Sequence, residues 1–138
     1  MKSIYETAKS LLGYHLTLDA SIPREYGCAQ ALSKVLSVCG YPIPKKGISS
    51  TIDMEAWLIA HGKEIAGPKQ GCIVISATEE DRHGHCGVIA RFGYAYPSDW
   101  GIMSNTSANG LWQVNYSLTD WRDYYTRKMG LQVKFYEL

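Results

Sequence analysis

Two apolar runs separated by a polar segment constrain the fold of this chain most strongly. Residues 71–76 read Gly-Cys-Ile-Val-Ile-Ser, and residues 85–92 read His-Cys-Gly-Val-Ile-Ala-Arg-Phe. Short runs rich in Val and Ile, bounded by turn residues, are typical of buried strands. The polar segment 77–84 between them indicates a turn. The sequence therefore predicts a β-hairpin with His85 at the mouth of its second strand.

Further strands and a short helix are predicted in the C-terminal half. Residues 101–107 are predicted to form a third strand. Residues 111–116 alternate between apolar and polar side chains as a strand does. A short helix at 119–128 and a closing strand at 131–136 complete the predicted sheet. The N-terminal half shows helical spacing instead. Short helices are predicted from Ile4 to a stop at Gly13 and from 49–51 to about 61–62, with Trp57 in the core.

The clearest helical pattern begins at Cys28. Apolar residues recur near a period of 3.6, and Gly40, Pro42 and Pro44 end the pattern. One side of this predicted helix is apolar, and the other is polar; the polar side consists of Gln30, Ser33, Lys34 and Ser37. With helices before a set of strands, the predicted fold class is α+β, with N-terminal helices packed on a central antiparallel sheet.

Length and composition predict a single domain over residues 1–138. Of the 138 residues, 46% are hydrophobic and 20% are charged, which is enough for one core and too few for two ordinary domains. The net charge is +1, from 14 basic and 13 acidic side chains. A basic field of the kind that nucleic-acid binding needs is therefore not expected. Recognition should come from a shaped cleft.

Cys28 occupies a position that favours nucleophilic chemistry. Gly27 before it leaves room for a substrate, and the free N–H groups of a first helical turn create positive potential at the thiol. Such a position lowers the pKa of a thiol and favours the thiolate. The N–H groups of this turn, which follows Tyr26 and Gly27, could also hold an oxyanion. The alternative is that Cys28 is a buried small hydrophobic residue.

A histidine and an asparagine could complete a catalytic site. His85 is suited to take a proton from a thiol near neutral pH. Asn105, on the third strand, could accept a hydrogen bond from the imidazole and orient it, or it could be an ordinary residue at a strand end. His83 is the alternative base. His85 is favoured because it directly precedes the apolar strand, whereas His83 lies in a charged turn.

The order of these residues resembles the papain-like cell-wall hydrolases. These include the NlpC-type and CHAP-type peptidoglycan amidases and endopeptidases, phage lysins and the small amidase effectors of type VI secretion. The resemblance covers roughly positions 4–108. It is carried by the helix-start cysteine in Tyr26-Gly27-Cys28, the strand Gly84-His85-Cys86-Gly87-Val88-Ile89 and the polar residue on the next strand. The chain departs from the family at Ala29-Gln30, where many relatives have Ser-Gly, and at Cys86, where a β-branched residue is usual.

The resemblance implies a papain-like fold and a cysteine hydrolase that acts on peptidoglycan peptides. Cys28 would be the nucleophile, His85 the base and Asn105 the residue that orients the base, without a metal or an organic cofactor. A cognate immunity protein or a phage tail or holin protein would be a fitting partner. The start of the sequence does not read as a signal peptide, and no stretch reaches transmembrane length. Synthesis in a cytoplasm and delivery to the wall by a phage or a secretion system are therefore expected.

Cysteine and aromatic residues give two further predictions. All four cysteines are expected to be free thiols, with Cys39, Cys72 and Cys86 buried in apolar segments. The ten tyrosines and four tryptophans exceed what a core of this size needs. In the C-terminal part, some of these aromatic residues could line a groove for glycan or peptide. The alternative is that they pack against the sheet edge.

Two other classes of protein share parts of this pattern. Asp81, His83, His85 and Cys86 lie close together in sequence and could belong to a metal-binding module, although the paired spacings of zinc sites are absent. The chain could also be a non-catalytic phage tail or baseplate protein that retains the papain-like shape and binds wall or a partner chain.

Overall fold

The structure is a computed structural model that describes residues 1–23 and 26–138. Its helices are α1 (Ile4–Ser10), α2 (Cys28–Cys39), α3 (Thr51–His61) and α4 (Leu118–Trp121), and α4 continues directly into a π-helix (Arg122–Lys128). Its strands are β1 (Lys63–Ile65), β2 (Ile73–Ser76), β3 (His85–Ile89), β4 (Gly101–Asn105), β5 (Trp112–Ser117) and β6 (Lys134–Glu137). No helix within the described residues is long and apolar enough to cross a membrane.

The six strands form one antiparallel sheet in the order β1-β6-β2-β3-β4-β5. The three strands β2, β3 and β4 are buried along their whole length. A strand that is covered on both faces needs apolar residues at successive positions, which explains the continuous apolar runs in the sequence. The predicted hairpin is therefore present as β2 and β3.

Helices cover both faces of this sheet. The N-terminal helices α1, α2 and α3 share one apolar cluster with one face of the sheet, and the members of this cluster include Ala8, Leu32, Leu36, Met54, Cys86, Val88 and Met103. On the opposite face, α4 and the π-helix share a second cluster, which includes Ile89, Ile102, Leu118, Trp121, Tyr125 and Phe135. The predicted α+β class with N-terminal helices on an antiparallel sheet is confirmed.

Several element boundaries differ from the predictions. Strand β1, a short edge strand paired with β6, was not predicted from the sequence. The predicted helix at 119–128 is present as α4 and the π-helix, and the closing strand lies at 134–137 rather than 131–136. The helix at the N-terminus ends at Ser10, before Gly13.

The predicted polar side of α2 is partly wrong. Gln30 and Ser33 are buried, with 1% and 0% of their surface exposed. Both side chains bond to the backbone of loops that cross this side of the helix. Ser33 Oγ accepts a hydrogen bond from Ile48 N at 2.9 Å, and Gln30 contacts two loops. Buried polar side chains need such partners, and the sequence pattern alone does not reveal them.

Candidate active site

The start of α2 is open to a ligand. Cys28 is the first helical residue, and Gly27 precedes it as an N-cap residue that offers no side-chain acceptor. By contrast, Ser50 caps α3 by accepting a hydrogen bond from Asp53 N at 3.0 Å. The first N–H groups of a helix lack intrahelical partners and carry positive potential. At α2 that potential acts on the half-buried Cys28 thiol rather than on a capping side chain.

The turn between β2 and β3 places His85 beside the start of α2. His85 is the first residue of β3, lies opposite Ser76 of β2 and is 8% exposed. Gly84 before it donates its N–H to Thr78 Oγ1 at 2.9 Å. A Cβ atom at Gly84 would lie 1.8 Å from the Ser76 carbonyl oxygen, so this position requires glycine for close backbone approach.

The Cys28 thiol has a pKa well below its usual value. The largest cause is a hydrogen bond from Cys86, burial acts in the opposite direction, and a hydrogen bond and positive charge from His85 lower the pKa further. The Ala29 N–H adds a smaller contribution. The pKa of Cys86 is raised by its hydrogen bond to Cys28 and by burial, so Cys86 keeps its proton and donates it to the Cys28 thiolate.

Strand alternation places His85 and Cys86 on opposite faces of the sheet. Cys86 belongs to the apolar cluster under α2, whereas the ring of His85 contacts Trp121 and Tyr125 on the other side. Both side chains still reach Cys28, because the thiol lies beside the first two residues of β3.

Asn105 is the last residue of β4 and is 4% exposed. In the β3–β4 register Val88 lies opposite Met103, so continuing by two residues places Asn105 opposite Cys86, on the α2 face. Nε2 of His85 is buried and has no hydrogen-bond partner among the described residues. The role of Asn105 in orienting His85 therefore stays a prediction.

Cys28, His85 and Asn105 line one cleft of about 650 Å³. Its walls are mostly hydroxyl, amide and aromatic side chains, and among the described lining residues none is Asp, Glu, Lys or Arg. Tyr26 and His83 lie at its mouth, with their ring centroids 5.6 Å apart, and both side chains are exposed. The structure thus places both candidate bases, His83 and His85, in the same cleft as Cys28. Tyr26 also lines this cleft, and Gly27 directly precedes Cys28.

Gln30 supports this cleft and was missed by the sequence analysis. Its Oε1 accepts hydrogen bonds from the backbone N–H groups of Leu18 and Asp19, both at 2.9 Å. Its Nε2 donates to the Lys46 carbonyl at 2.8 Å and to Ser49 Oγ at 3.0 Å. One buried amide therefore fastens two loops to α2, and the second of these loops leads into the cleft wall at 49–52. The only signal in the sequence was its position two residues after Cys28.

The aromatic residues divide between the core and the cleft. Trp112 and Trp121 are fully buried, whereas Tyr116, Tyr124 and Tyr125 line the cleft. Some C-terminal aromatic residues thus pack in the core and others line the cleft, and a role of the latter in holding glycan or peptide stays a prediction. All four cysteines are free, and Cys39, Cys72 and Cys86 are buried as predicted. Within the described residues, no three His, Cys, Asp or Glu side chains converge as a metal site would need.

The fold is the α+β papain-like fold predicted from the sequence. A solved structure similar to this chain is that of the type VI native effector-immunity complex Tae3-Tai3 from Ralstonia pickettii, with a TM-score of 0.56 and 18% identity. The alignment covers 98% of this chain and 95% of that chain. No protein-family model and no curated protein matches the sequence. At this identity the similarity shows a shared fold.

Proposed function

We propose that this protein is a cysteine amidase or endopeptidase that hydrolyses amide bonds in the peptides of bacterial peptidoglycan. The observation that carries the proposal is the acidified thiol of Cys28, at an open helix start, beside His85 and inside a cleft. A thiolate, a proton carrier and a row of free N–H groups are the three components that acyl transfer through a thioester requires.

The proposed reaction proceeds in two halves. The Cys28 thiolate attacks the amide carbonyl carbon, and the N–H groups at the start of α2 stabilise the oxyanion. Protonated His85 gives a proton to the leaving amine as the C–N bond breaks, which leaves a thioester on Cys28. His85 then takes a proton from a water molecule, and the water oxygen attacks the thioester carbonyl carbon. The C–S bond breaks, which releases the carboxylic acid and returns Cys28 as a thiolate beside protonated His85. Asn105 is proposed to help orient His85 in both halves.

The shape and chemistry of the cleft support a peptide substrate. A volume of about 650 Å³ is in the range of pockets that hold a ligand of several residues. Hydroxyl and amide side chains, such as those of Ser50, Thr51 and Asn115, can bond to peptide groups along the walls. Tyr26 and Tyr124 at the mouth offer exposed ring faces for apolar or sugar contacts.

The shared fold with a type VI effector supports the bacterial wall as the target. That structure is an effector–immunity complex, and we propose that this chain likewise has a partner protein that blocks its cleft in the producing cell. Delivery through a secretion system is the route that this similarity favours. Delivery by a phage is the other route that the sequence pattern allows.

The test is digestion of purified peptidoglycan with the wild-type protein, Cys28→Ala and His85→Ala. The wild type is expected to release soluble fragments with one new amine and one new carboxyl terminus for each bond cut, identified by mass spectrometry. Each variant should lower the rate of release by at least about a thousandfold, as loss of a nucleophile or its base does in other hydrolases. Cys39→Ala, at a buried cysteine outside the cleft, is the matched control and should digest wall at the wild-type rate.

Asn105→Ala tests the proposed orienting residue independently of Cys28 and His85. Loss of an orienting group is expected to lower kcat while Cys28 stays reactive toward alkylating reagents. Release of the same fragments by folded Cys28→Ala would exclude the mechanism. Failure of the folded wild type to cut walls of several chemotypes would exclude peptidoglycan as the substrate.

A further inference from the structure

Three aromatic rings pack together against one side of the imidazole of His85. The ring centroids of Trp121, Tyr116 and Tyr125 lie 5.3, 5.8 and 5.9 Å from that of His85. Tyr125 is nearly parallel to the imidazole, at 14°, whereas Tyr116 meets it edge to face, at 61°. The three rings also contact one another, with centroid distances between 4.8 and 5.8 Å. Together, Tyr116, Trp121 and Tyr125 are called the aromatic cage below.

The cage is fixed from several elements. Tyr116 comes from β5, Trp121 ends α4, and Tyr125 lies four residues later in the π-helix, on the same side as Trp121. The indole N–H of Trp121 donates to Ser76 Oγ at 3.0 Å, and Ser76 lies directly opposite His85 in the β2–β3 register. The hydroxyls of Tyr116 and Tyr125 are 3.5 Å apart. The orientation of the rings is therefore held by hydrogen bonds as well as by packing.

Ring faces carry negative potential, which acts on the imidazole packed against them. Tyr125 lies nearly parallel to the imidazole, at 14°, so the two rings present their faces to each other. A full positive charge is attracted by such a face. Nε2 of His85 is buried without a hydrogen-bond partner among the described residues, so ring contacts hold this end of the side chain. The cage therefore fixes the imidazole in place and can attract it when it carries a positive charge.

Apart from the Cys28 thiolate, no anionic side chain among the described residues that line the cleft supplies this effect. The titratable groups against His85 are Cys28 of α2, Tyr116 of β5 and Tyr125 of the π-helix, with Cys86 next to it on β3 and His83 two residues away. Burial raises the pKa of Tyr125, so its phenol stays neutral and acts through its ring. No Asp or Glu carboxylate is among the described residues that line the cleft.

We propose that the aromatic cage of Tyr116, Trp121 and Tyr125 positions His85 and stabilises its protonated form, and thereby maintains Cys28 as a thiolate. These three are positioning residues, because they act on the reaction through His85. This inference rests on the proposed function only for its consequence in catalysis, since the thiolate and the imidazolium can be measured without a substrate. Asn105 would help to orient His85 from the other face of the sheet.

The test measures the alkylation rate of Cys28 by iodoacetamide as a function of pH, followed by peptide mass spectrometry. Tyr125→Leu removes one ring face, and loss of a cation–π contact of about 0.5–1.4 kcal/mol corresponds to an alkylation rate about two- to tenfold slower at pH values below the midpoint. Tyr125→Phe keeps the ring and is expected to restore the wild-type profile. Tyr14→Leu, at an exposed tyrosine that does not line the cleft, is the control for the loss of an aromatic side chain and should leave the midpoint unchanged.

A double-mutant cycle with His85→Ala shows whether Tyr125 acts through His85. In the His85→Ala background, Tyr125→Leu should cause no further shift of the alkylation midpoint. A wild-type profile in folded Tyr125→Leu, or a shift of equal size with and without His85, would overturn the proposal. If the profiles shift as expected while the wild type cuts no peptidoglycan, the cage stands and the proposed function fails.

Discussion

At the scale of single residues, the unusual feature of the site is the second thiol. Cys86 lies in the apolar cluster under α2, and its hydrogen bond is the largest cause that lowers the pKa of Cys28. His85 contributes from the other face of the sheet. The pKa of Cys28, the proposed nucleophile, is thus lowered from two sides, by a neutral hydrogen-bond donor and by a potential cation.

Cys86→Val tests the contribution of this donor. Valine is apolar and similar in size, so the core under α2 should tolerate it, but it cannot donate a hydrogen bond. The pKa of Cys28 should rise, and with it the pH at which iodoacetamide alkylates Cys28 at half its maximal rate. Peptidoglycan cleavage should fall at neutral pH and recover as the pH is raised.

Cys39→Val is the matched control, because Cys39 is also a buried cysteine and its thiol bonds to the Ser3 carbonyl, away from the cleft. Its alkylation profile at Cys28 should equal that of the wild type. An unchanged profile in Cys86→Val would show that His85 and the helix start suffice to acidify the nucleophile.

At the scale of elements, the β2–β3 turn determines where His85, the proposed base, lies. Thr78 ties this turn to the start of α3, because its Oγ1 lies 2.8 Å from that of Thr51 and its N–H donates to Thr51 Oγ1 at 2.9 Å. Gly84 completes the turn against the Ser76 carbonyl. The walls of the cleft and the position of His85 are therefore set by one connected network.

Gly84→Ala is expected to damage both stability and activity. The added methyl group would lie 1.8 Å from a backbone oxygen, so the strand start must move, and His85 moves with it. Overpacking of this kind costs about 1–3 kcal/mol or more in the free energy of unfolding, measured by urea denaturation. Peptidoglycan cleavage should fall more than the loss of folded protein explains.

Gly67→Ala controls for the loss of a glycine, because no atom lies within 4 Å of the added methyl group. Its free energy of unfolding should change by less than about 1 kcal/mol. If Gly84→Ala matched Gly67→Ala in stability and cleavage, the close approach at the turn would not control the position of His85.

At the scale of the whole molecule, buried neutral groups make the fold sensitive to alkaline pH. Burial raises the pKa of Cys72 from 9.0 to about 11, and burial also raises the pKa of Tyr125 on the same side of the sheet. In the unfolded chain these groups ionise at lower pH than in the folded protein. The unfolded state then binds fewer protons, so its free energy falls relative to the folded state as the pH rises.

The free energy of unfolding should therefore decrease between pH 9 and pH 11, as urea denaturation under reducing conditions would show. Below pH 9 the Cys72 thiol is neutral in both states and contributes no pH dependence. Cys72→Val removes this group and should make the decrease shallower. An equal decrease in Cys72→Val and the wild type would assign the alkaline instability to other buried groups, such as Tyr125 and Cys86.

The apolar cluster under α2 and the apolar cluster under α4 cover opposite faces of the sheet, and the cleft lies at one end of the sheet. The middle strands are buried on both faces, whereas the cleft opens at the end of β3, where the strands give way to turns. Loops that carry a site on a rigid sheet are a common arrangement in enzymes.

Local patterns in the sequence determined much of this protein. The start of α2 at Cys28, the β2–β3 hairpin and the place of His85 at its mouth follow from periodicity, helix punctuation and apolar runs, which depend on neighbouring residues. The α+β class follows from the order of these elements. Cys28 and His85 could be selected as candidates because each stands at the beginning of a predictable element.

Tertiary structure alone decided how the site is surrounded. Gln30 is buried because two distant loops cross α2, and Asn105 lies opposite Cys86 because of the β3–β4 register. The cage around His85 assembles from β5, α4 and the π-helix, more than 30 residues further along the chain. These contacts join residues far apart in sequence, so their geometry depends on register and packing, which local propensities do not encode.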